Sequence, residues 1–178
     1  SGSHAAEFGF LAVSPLNEAA LVLFPVLCTA VLLAAPKRDM TPAMAAGSLT
    51  ILAGTLLAYA SVSSPILLAG WVISALPFLI GPFTVEGNWR PRVALALSCL
   101  VFAAAIQLPE FPYLIVAAIV LRKGIFPAHA WFDESVEHGP LLPGALLFAG
   151  HMGALLRLRT AALDDVLLSN LALCTAAY

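Results

Sequence analysis

The sequence predicts an all-α polytopic membrane protein with about seven transmembrane helices, one of them discontinuous. Apolar residues make up 61% of the chain and charged residues only 10%, and the mean hydropathy is +0.98. A soluble domain carries far more charge. The apolar residues also fall into runs of about 17 to 25, the length that a helix needs to cross hydrocarbon. Short polar or proline-rich breaks separate these runs, so each run is expected to form one helix.

The breaks divide the chain into a short N-terminal segment and a series of helices. Residues 1–9 begin with SGSH and are interpreted as a tag remnant or an N-terminal tail. Residues 10–178 are interpreted as a single transmembrane helical domain, which is either complete or part of a longer chain. In chain order, the expected helices cover about 10–35, 43–62, 66–83, 93–108, 113 to the DESVEHGP loop, 142–158 and 165–178. The fifth is the discontinuous one, because Gly124 and Pro127 interrupt it.

Composition and motifs exclude several classes of function. The net charge is -2, the pI is near 6.0 and the cations come in isolated pairs, so nucleic acid is not expected as a partner. The three cysteines have no CxxC spacing and no neighbouring histidine, which predicts neither a metal site nor a disulfide framework. The sequence contains no nucleophile with an adjacent base and no glycine-rich phosphate loop. Catalytic chemistry and a bound cofactor are therefore not expected on this chain.

The run LRKGIFPAHAW gives the strongest indication of function, because it places Arg122 and Lys123 in an apolar helix that is then broken. A cation at bilayer depth is costly and usually marks an ion or proton path. Arginine stays charged, whereas a lysine taken out of water can exchange a proton, so Lys123 is the better relay and Arg122 the better fixed charge. Pro127 lacks an amide hydrogen and leaves the carbonyl of Lys123 open to a ligand if that carbonyl lines a cavity. The alternative is that both cations are interfacial anchors at an ordinary helix end.

Each of the other ionisable candidates has a functional and a structural interpretation. His129 and His151 are either proton relays or buried histidines with satisfied hydrogen bonds. Glu18, near the start of the first helix, belongs either to the pathway or to the cap of that helix. Four residues of the loop after Trp131 either gather protons at the mouth of a pathway or are simply solvated: Asp133, Glu134, Glu137 and His138.

The stretch RKGIFPAHAWFDESVEHGPLLPGALLFAGHM resembles the signature of the proton-translocating antiporter-like membrane subunits. These subunits occur in respiratory complex I, in multisubunit sodium/proton antiporters and in membrane-bound hydrogenases. Upstream, SSPILLAGWVISALPFLIG is similar to another helix of that family, and AGH after ALLF is similar to the membrane subunits of inorganic-carbon uptake systems. The resemblance implies inverted five-helix repeats, of which this chain would hold one repeat and a preceding helix.

The chain departs from the family pattern at several positions, and two of these departures bear directly on proton transfer. The family glutamate that pairs with the lysine of the broken helix corresponds to Val72, and the family lysine itself falls on Arg122. An arginine there cannot release a proton in any ordinary way. Either the proton route is rewired in this chain, or conduction has been lost.

The resemblance implies three alternative functions. The leading expectation is a membrane subunit of an energy-coupled complex, such as an NADH:quinone oxidoreductase-like translocase, that moves protons or cations across the cell inner membrane along buried Lys and His groups. Its partners would be the lipid bilayer and other membrane subunits. The two departures favour instead a non-conducting structural or assembly subunit of such a complex. The AGH fragment favours the membrane component of an inorganic-carbon uptake system, which would have a soluble, metal-containing partner subunit.

Overall fold

The computed structural model describes residues 6–8, 11–13, 15–35, 41–81, 83, 89–125, 128 and 130–132. Strands β1 (Ala6–Phe8) and β2 (Leu11–Val13) pair antiparallel as a short hairpin, and Leu11 also forms a single bridge to Ser61. The sequence predicts a first helix from about residue 10, and this start is wrong. Strand β2 of the hairpin occupies residues 11–13, and the helix begins only at Pro15.

Five helices are present in the residues that the structure describes: α1 (Pro15–Ala34), α2 (Pro42–Ala60), α3 (Ser64–Leu79), α4 (Arg90–Gln107) and α5 (Tyr113–Lys123). The first four have a proline at one of their first two positions. Proline is well tolerated there, because the amide it lacks would have no partner within the helix. The hydroxyl of Thr41 caps α2 by accepting a hydrogen bond of 3.2 Å from the amide of Met44.

The prediction of about seven transmembrane helices is wrong. Within the described ranges, only α2 with 19 residues and α4 with 18 are long and apolar enough to cross a membrane. The apolar parts of α1 and α3 are shorter, and α5 has 11 residues. The count fails because an apolar run is not always one helix: the run expected to continue to residue 83 stops being helical at Leu79. The all-α class is confirmed for the described residues, which are helical apart from the short β1–β2 hairpin. The expected helices at 142–158 and 165–178 lie outside the described residues.

Each helix packs against the next one in the chain, and the contact between α2 and α3 is the most extensive. Gly54 and Gly70 face each other there. A Cβ atom added to Gly54 would lie 2.5 Å from the amide nitrogen of Ser74, and one added to Gly70 would lie 2.6 Å from the amide nitrogen of Ala58. The two backbones therefore touch through a small-xxx-small pair on each helix, Gly54 with Ala58 and Gly70 with Ser74.

Two clusters of buried side chains lie between the helices. One cluster consists of Ala58, Leu67, Trp71, Phe102, Ala118 and Ile119. In it, the rings of Trp71 and Phe102 are 4.7 Å apart between centroids, which joins α3 to α4. The other cluster consists of Cys28, Ile51, Phe78, Phe83, Leu95 and Trp131. Together the clusters hold the end of α5 and the residues just after it against the first four helices.

The apolar residues of α2 and α4 are only partly buried in the part of the chain that the structure describes. Only 39% of the apolar window of α2 and 33% of that of α4 are buried. Large apolar side chains are exposed on α1 and α4: Val22, Leu23, Val26, Leu33, Val93, Leu97 and Leu100. The exposed hydroxyl of Thr29 donates a hydrogen bond of 2.8 Å to the carbonyl of Pro25 in its own helix. A hydroxyl satisfied in this way does not require water.

Candidate functional site

Helix α5 ends at Lys123, where Gly124 turns the chain out of the helix. Gly124 has φ 58° and ψ 40°, in the left-handed region, which glycine adopts without the steric penalty that a Cβ atom brings. The amides of Gly124 and Ile125 both donate to the carbonyl of Val120, and residues 130–132 are helical again. The apolar run is thus interrupted directly after its two cations.

The guanidinium of Arg122 lies in the interior, with only 1% of the residue exposed. Its Nη2 donates to the carbonyl of Trp71 at 3.1 Å and to the Oγ of Ser74 at 2.8 Å. Its Nη1 lies 3.8 Å from the Sγ of Cys99, and its Cζ lies 5.1 Å from the centroid of the Trp71 ring. One side chain of α5 is therefore attached to both α3 and α4, with a cation–π contact in addition to the hydrogen bonds.

Two fully buried serines determine how the end of α5 is held. The hydroxyl of Ser74 donates to the carbonyl of Trp71 at 2.9 Å, so its lone pairs are presented to Arg122. The hydroxyl of Ser98 donates to the carbonyl of Ala118 at 2.8 Å and joins α4 to α5 one turn before Arg122. A planar guanidinium fixed by acceptors on other helices behaves as a stationary charge.

Trp131, which follows the interruption in the chain, donates a hydrogen bond to the end of α5. In a continuous helix the amide of Ile125 would donate to the carbonyl of Leu121, but here it donates to Val120 at 3.1 Å. The Nε1 of Trp131 donates to the Leu121 carbonyl instead, at 2.8 Å. An acceptor that the helix end leaves open is thereby satisfied by a side chain only 4% exposed.

Lys123 has a different environment from Arg122. Neighbouring residues of a helix point in directions about 100° apart, so the two cations do not share one face. Arg122 lies inside the junction with α3 and α4, whereas Lys123 is half-buried at the last position of the helix. Glu18 is exposed in the first turn of α1, where a carboxylate interacts favourably with the helix dipole. Of these three predicted site residues, only Arg122 is enclosed by other helices.

The remaining predicted residues are placed as follows. Val72, at the position of the family glutamate, is half-buried on α3 next to Trp71. Pro127, His129, Asp133, Glu134, Glu137, His138 and His151 lie outside the described residues. Among the residues that are described, no group of three or more His, Cys, Asp or Glu side chains could hold a metal ion.

Ser74, Ser98 and Cys99 are not among the residues predicted from the sequence, although all three determine the geometry around α5. A signal was available for the serines. A hydroxyl inside an apolar helix must find a hydrogen-bond partner, and a neighbouring helix that carries an arginine can supply one. The signal does not identify the partner, because the acceptors of Arg122 on α3 are about 50 residues away in the sequence.

Neither protein-family models nor curated proteins nor solved structures match this chain. The resemblance to the antiporter-like subunits therefore remains a prediction, and so do the functional roles assigned to the site residues.

Proposed function

We propose that the chain is a membrane subunit of an energy-coupled complex that moves protons or cations across the cell inner membrane. The observation that carries this proposal is the position of Arg122, which is 1% exposed at the end of an interrupted apolar helix. A cation in such surroundings is expensive to maintain, and in membrane proteins it usually belongs to an ion or proton pathway.

The surface of α2 and α4 supports the location in a membrane. A core helix of a soluble protein is covered by its own chain, whereas a helix that is apolar on all sides and uncovered must meet another apolar medium. Well under half of each apolar window is buried in the protein. We propose that both helices cross the bilayer, which makes the protein multi-pass, and that their uncovered faces contact lipid or other membrane subunits.

The two cations would have separate roles in transport. Arg122 is held by Trp71 and Ser74, so it would contribute a constant positive field. Lys123 is half-buried at the helix end, and a lysine can release a proton when it leaves water. Lys123 is therefore the proposed proton-exchanging group. His129 and His151 remain candidates for the groups that pass a proton to Lys123 or accept one from it.

The test measures proton and sodium flux in proteoliposomes that contain the chain with its partner subunits. Lys123→Ala should lower the flux at least severalfold, because it removes the exchanging amine. Lys123→Arg should lower the flux as well, since it retains the charge but does not release a proton. Arg92→Ala is the matched control, because Arg92 is an exposed cation in the first turn of α4. Normal flux in Lys123→Ala and in His151→Ala would remove the relay role.

A second function is favoured by the contacts that join Arg122 to α3 and α4. Its partners on these helices include a carbonyl, a hydroxyl and a thiol, and Val72 stands at the position of the family glutamate. Such an arginine can serve as a strut between helices in a non-conducting structural or assembly subunit. In that case Ser74→Ala should lower the amount of assembled complex while Lys123→Ala leaves its flux unchanged. Val72→Glu would then give no gain in coupling.

A further inference from the structure

We infer that Trp131 is a positioning residue: its indole hydrogen bond to Leu121 holds the end of α5 in the interrupted conformation. We call this contact the indole latch. It deepens the proposed function, because the helix end that it fixes carries Arg122 and Lys123. Its consequence for transport depends on that proposal, whereas its effect on the conformation of α5 does not.

The latch involves a carbonyl oxygen that a continuous helix would also use. If α5 continued through Ile125, the amide of that residue would donate to the Leu121 carbonyl, which is the acceptor of the indole. In the structure the Ile125 amide donates to Val120, and Trp131 Nε1 lies 2.8 Å from the Leu121 oxygen. The docked indole and the continuous helix thus share one acceptor. Because a carbonyl oxygen has two lone pairs, the choice between these two states of the helix end depends on the packing at Gly124.

Packing at Gly124 couples the latch to the backbone. A Cβ atom added to Gly124 would lie 2.6 Å from the Cβ of Phe132 and 3.6 Å from the Cε2 of Trp131. The residues after the interruption thus press directly on the left-handed turn. Trp131 itself is anchored in a buried cluster with side chains of the first four helices, such as Ile51 and Leu95. Docking of the indole and the left-handed conformation of Gly124 should consequently be gained or lost together.

The alternative state is limited in length by the sequence. Pro127 has no amide hydrogen to donate to Lys123, and it disfavours a helical conformation for the residue before it. Release of the latch would therefore extend α5 only through Gly124 and Ile125. This short extension would still change Lys123 from the last residue of the helix into an internal one, and so change the surroundings of its amine and carbonyl.

The first experiment removes the indole donor. Trp131→Phe keeps an aromatic ring in the cluster but has no N–H group. Backbone chemical shifts of Gly124 and Ile125 are measured by NMR on the full chain in lipid nanodiscs. The helical population at these residues should rise about fivefold, the equilibrium effect of one net hydrogen bond. Trp89→Phe is the matched control, because Trp89 is 65% exposed at the start of α4, and it should leave both shifts unchanged.

The second experiment acts on the backbone and keeps Trp131 intact. Gly124→Ala and Gly124→Asn both add a Cβ atom against Phe132, but asparagine tolerates the left-handed conformation far better than alanine. The measurement is deuterium exchange at the indole N–H of Trp131, assigned by its loss in Trp131→Phe. Exchange should be about tenfold faster in Gly124→Ala than in Gly124→Asn. Alanine disfavours the left-handed conformation more than asparagine does, so the docked indole should be released more often.

The outcomes separate the latch from the proposed function. Unchanged shifts in Trp131→Phe, or equal indole exchange in the two Gly124 variants, would overturn the latch whatever the flux measurements show. If Trp131→Phe does not fold, the pair of Gly124 variants alone decides the question. If the shifts and the exchange change as expected while flux is normal in Lys123→Ala and in His151→Ala, the latch stands and the proposed relay role is rejected.

Discussion

The clearest prediction about the junction around Arg122 concerns Ser74→Ala. Ser74 is fully buried, accepts from Arg122 Nη2 at 2.8 Å and donates to the Trp71 carbonyl at 2.9 Å. Alanine removes both interactions but almost no volume. The Trp71 carbonyl keeps its bond from Arg122 at 3.1 Å, so the main loss is the acceptor of a charged donor. Such a bond contributes about 1.5–3 kcal/mol, and we expect the free energy of unfolding to fall by about that amount.

Ser98→Ala provides a control that differs mainly in charge. Ser98 is equally buried, and its hydroxyl makes a hydrogen bond of nearly the same length, 2.8 Å, to the neutral carbonyl of Ala118. A neutral hydrogen bond contributes about 0.5–1.5 kcal/mol, so Ser98→Ala should cost clearly less than Ser74→Ala. Both free energies of unfolding can be measured by denaturant titration in detergent micelles, followed by circular dichroism.

A double-mutant cycle identifies the origin of the loss. In an Arg122→Met background the charged donor is gone, so Ser74→Ala should cost only about 1 kcal/mol, and the coupling between the two positions should account for the remainder. The reasoning would be refuted if Ser74→Ala cost no more than Ser98→Ala, or if its cost were the same with and without Arg122. Either result would mean that Ser74 does not carry the charged contact.

The remaining predictions concern the helix surfaces and the guanidinium itself. Gly54→Leu should destabilise the protein by about 1–3 kcal/mol or more, because its side chain would collide with the backbone of α3, whereas Ala53→Leu on the exposed side of α2 should be nearly neutral in the same titration. Leu100→Asp on the exposed face of α4 should make membrane insertion less favourable by about 3–4 kcal/mol in a translocon assay, and Gln107→Asp at the helix end should not. Arg122→Lys should destabilise the protein by about 1–3 kcal/mol in thermal unfolding, because one ammonium cannot reach three acceptors held in the geometry of a planar fork.

The sequence predicted local features better than the number and type of elements. The bounds of α2 and α4 lie close to the apolar runs at about 43–62 and 93–108, because both helices begin beside prolines that also mark the sequence breaks. Hydropathy alone does not separate a helix from an apolar strand or turn. For this reason the β1–β2 hairpin was missed, and the extent of α3 beyond Leu79 was overestimated.

Contacts between helices were much less accessible to sequence reasoning. Gly54 with Ala58 and Gly70 with Ser74 have the small-xxx-small spacing, but this spacing is common in apolar helices and does not say which partner a helix chooses. The charge of Arg122 and its position in an apolar run were evident from the sequence. Its acceptors were not, because they come from α3 and α4 and depend on how those helices pack.

The arrangement at the end of α5 connects the structural and the transport interpretations of Arg122. A transport site needs at least one group that gains and loses a proton or moves, and other groups that keep their charge and position. Arg122 is fixed by α3 and α4, and the Leu121 carbonyl is fixed by Trp131, so the residues on either side of the helix end are constrained. A strut role for Arg122 is then compatible with conduction, because an arginine held by α3 and α4 leaves Lys123 available to exchange a proton. The flux measurements on Lys123 and His151, and not the experiments on Arg122, therefore decide between a conducting and a purely structural subunit.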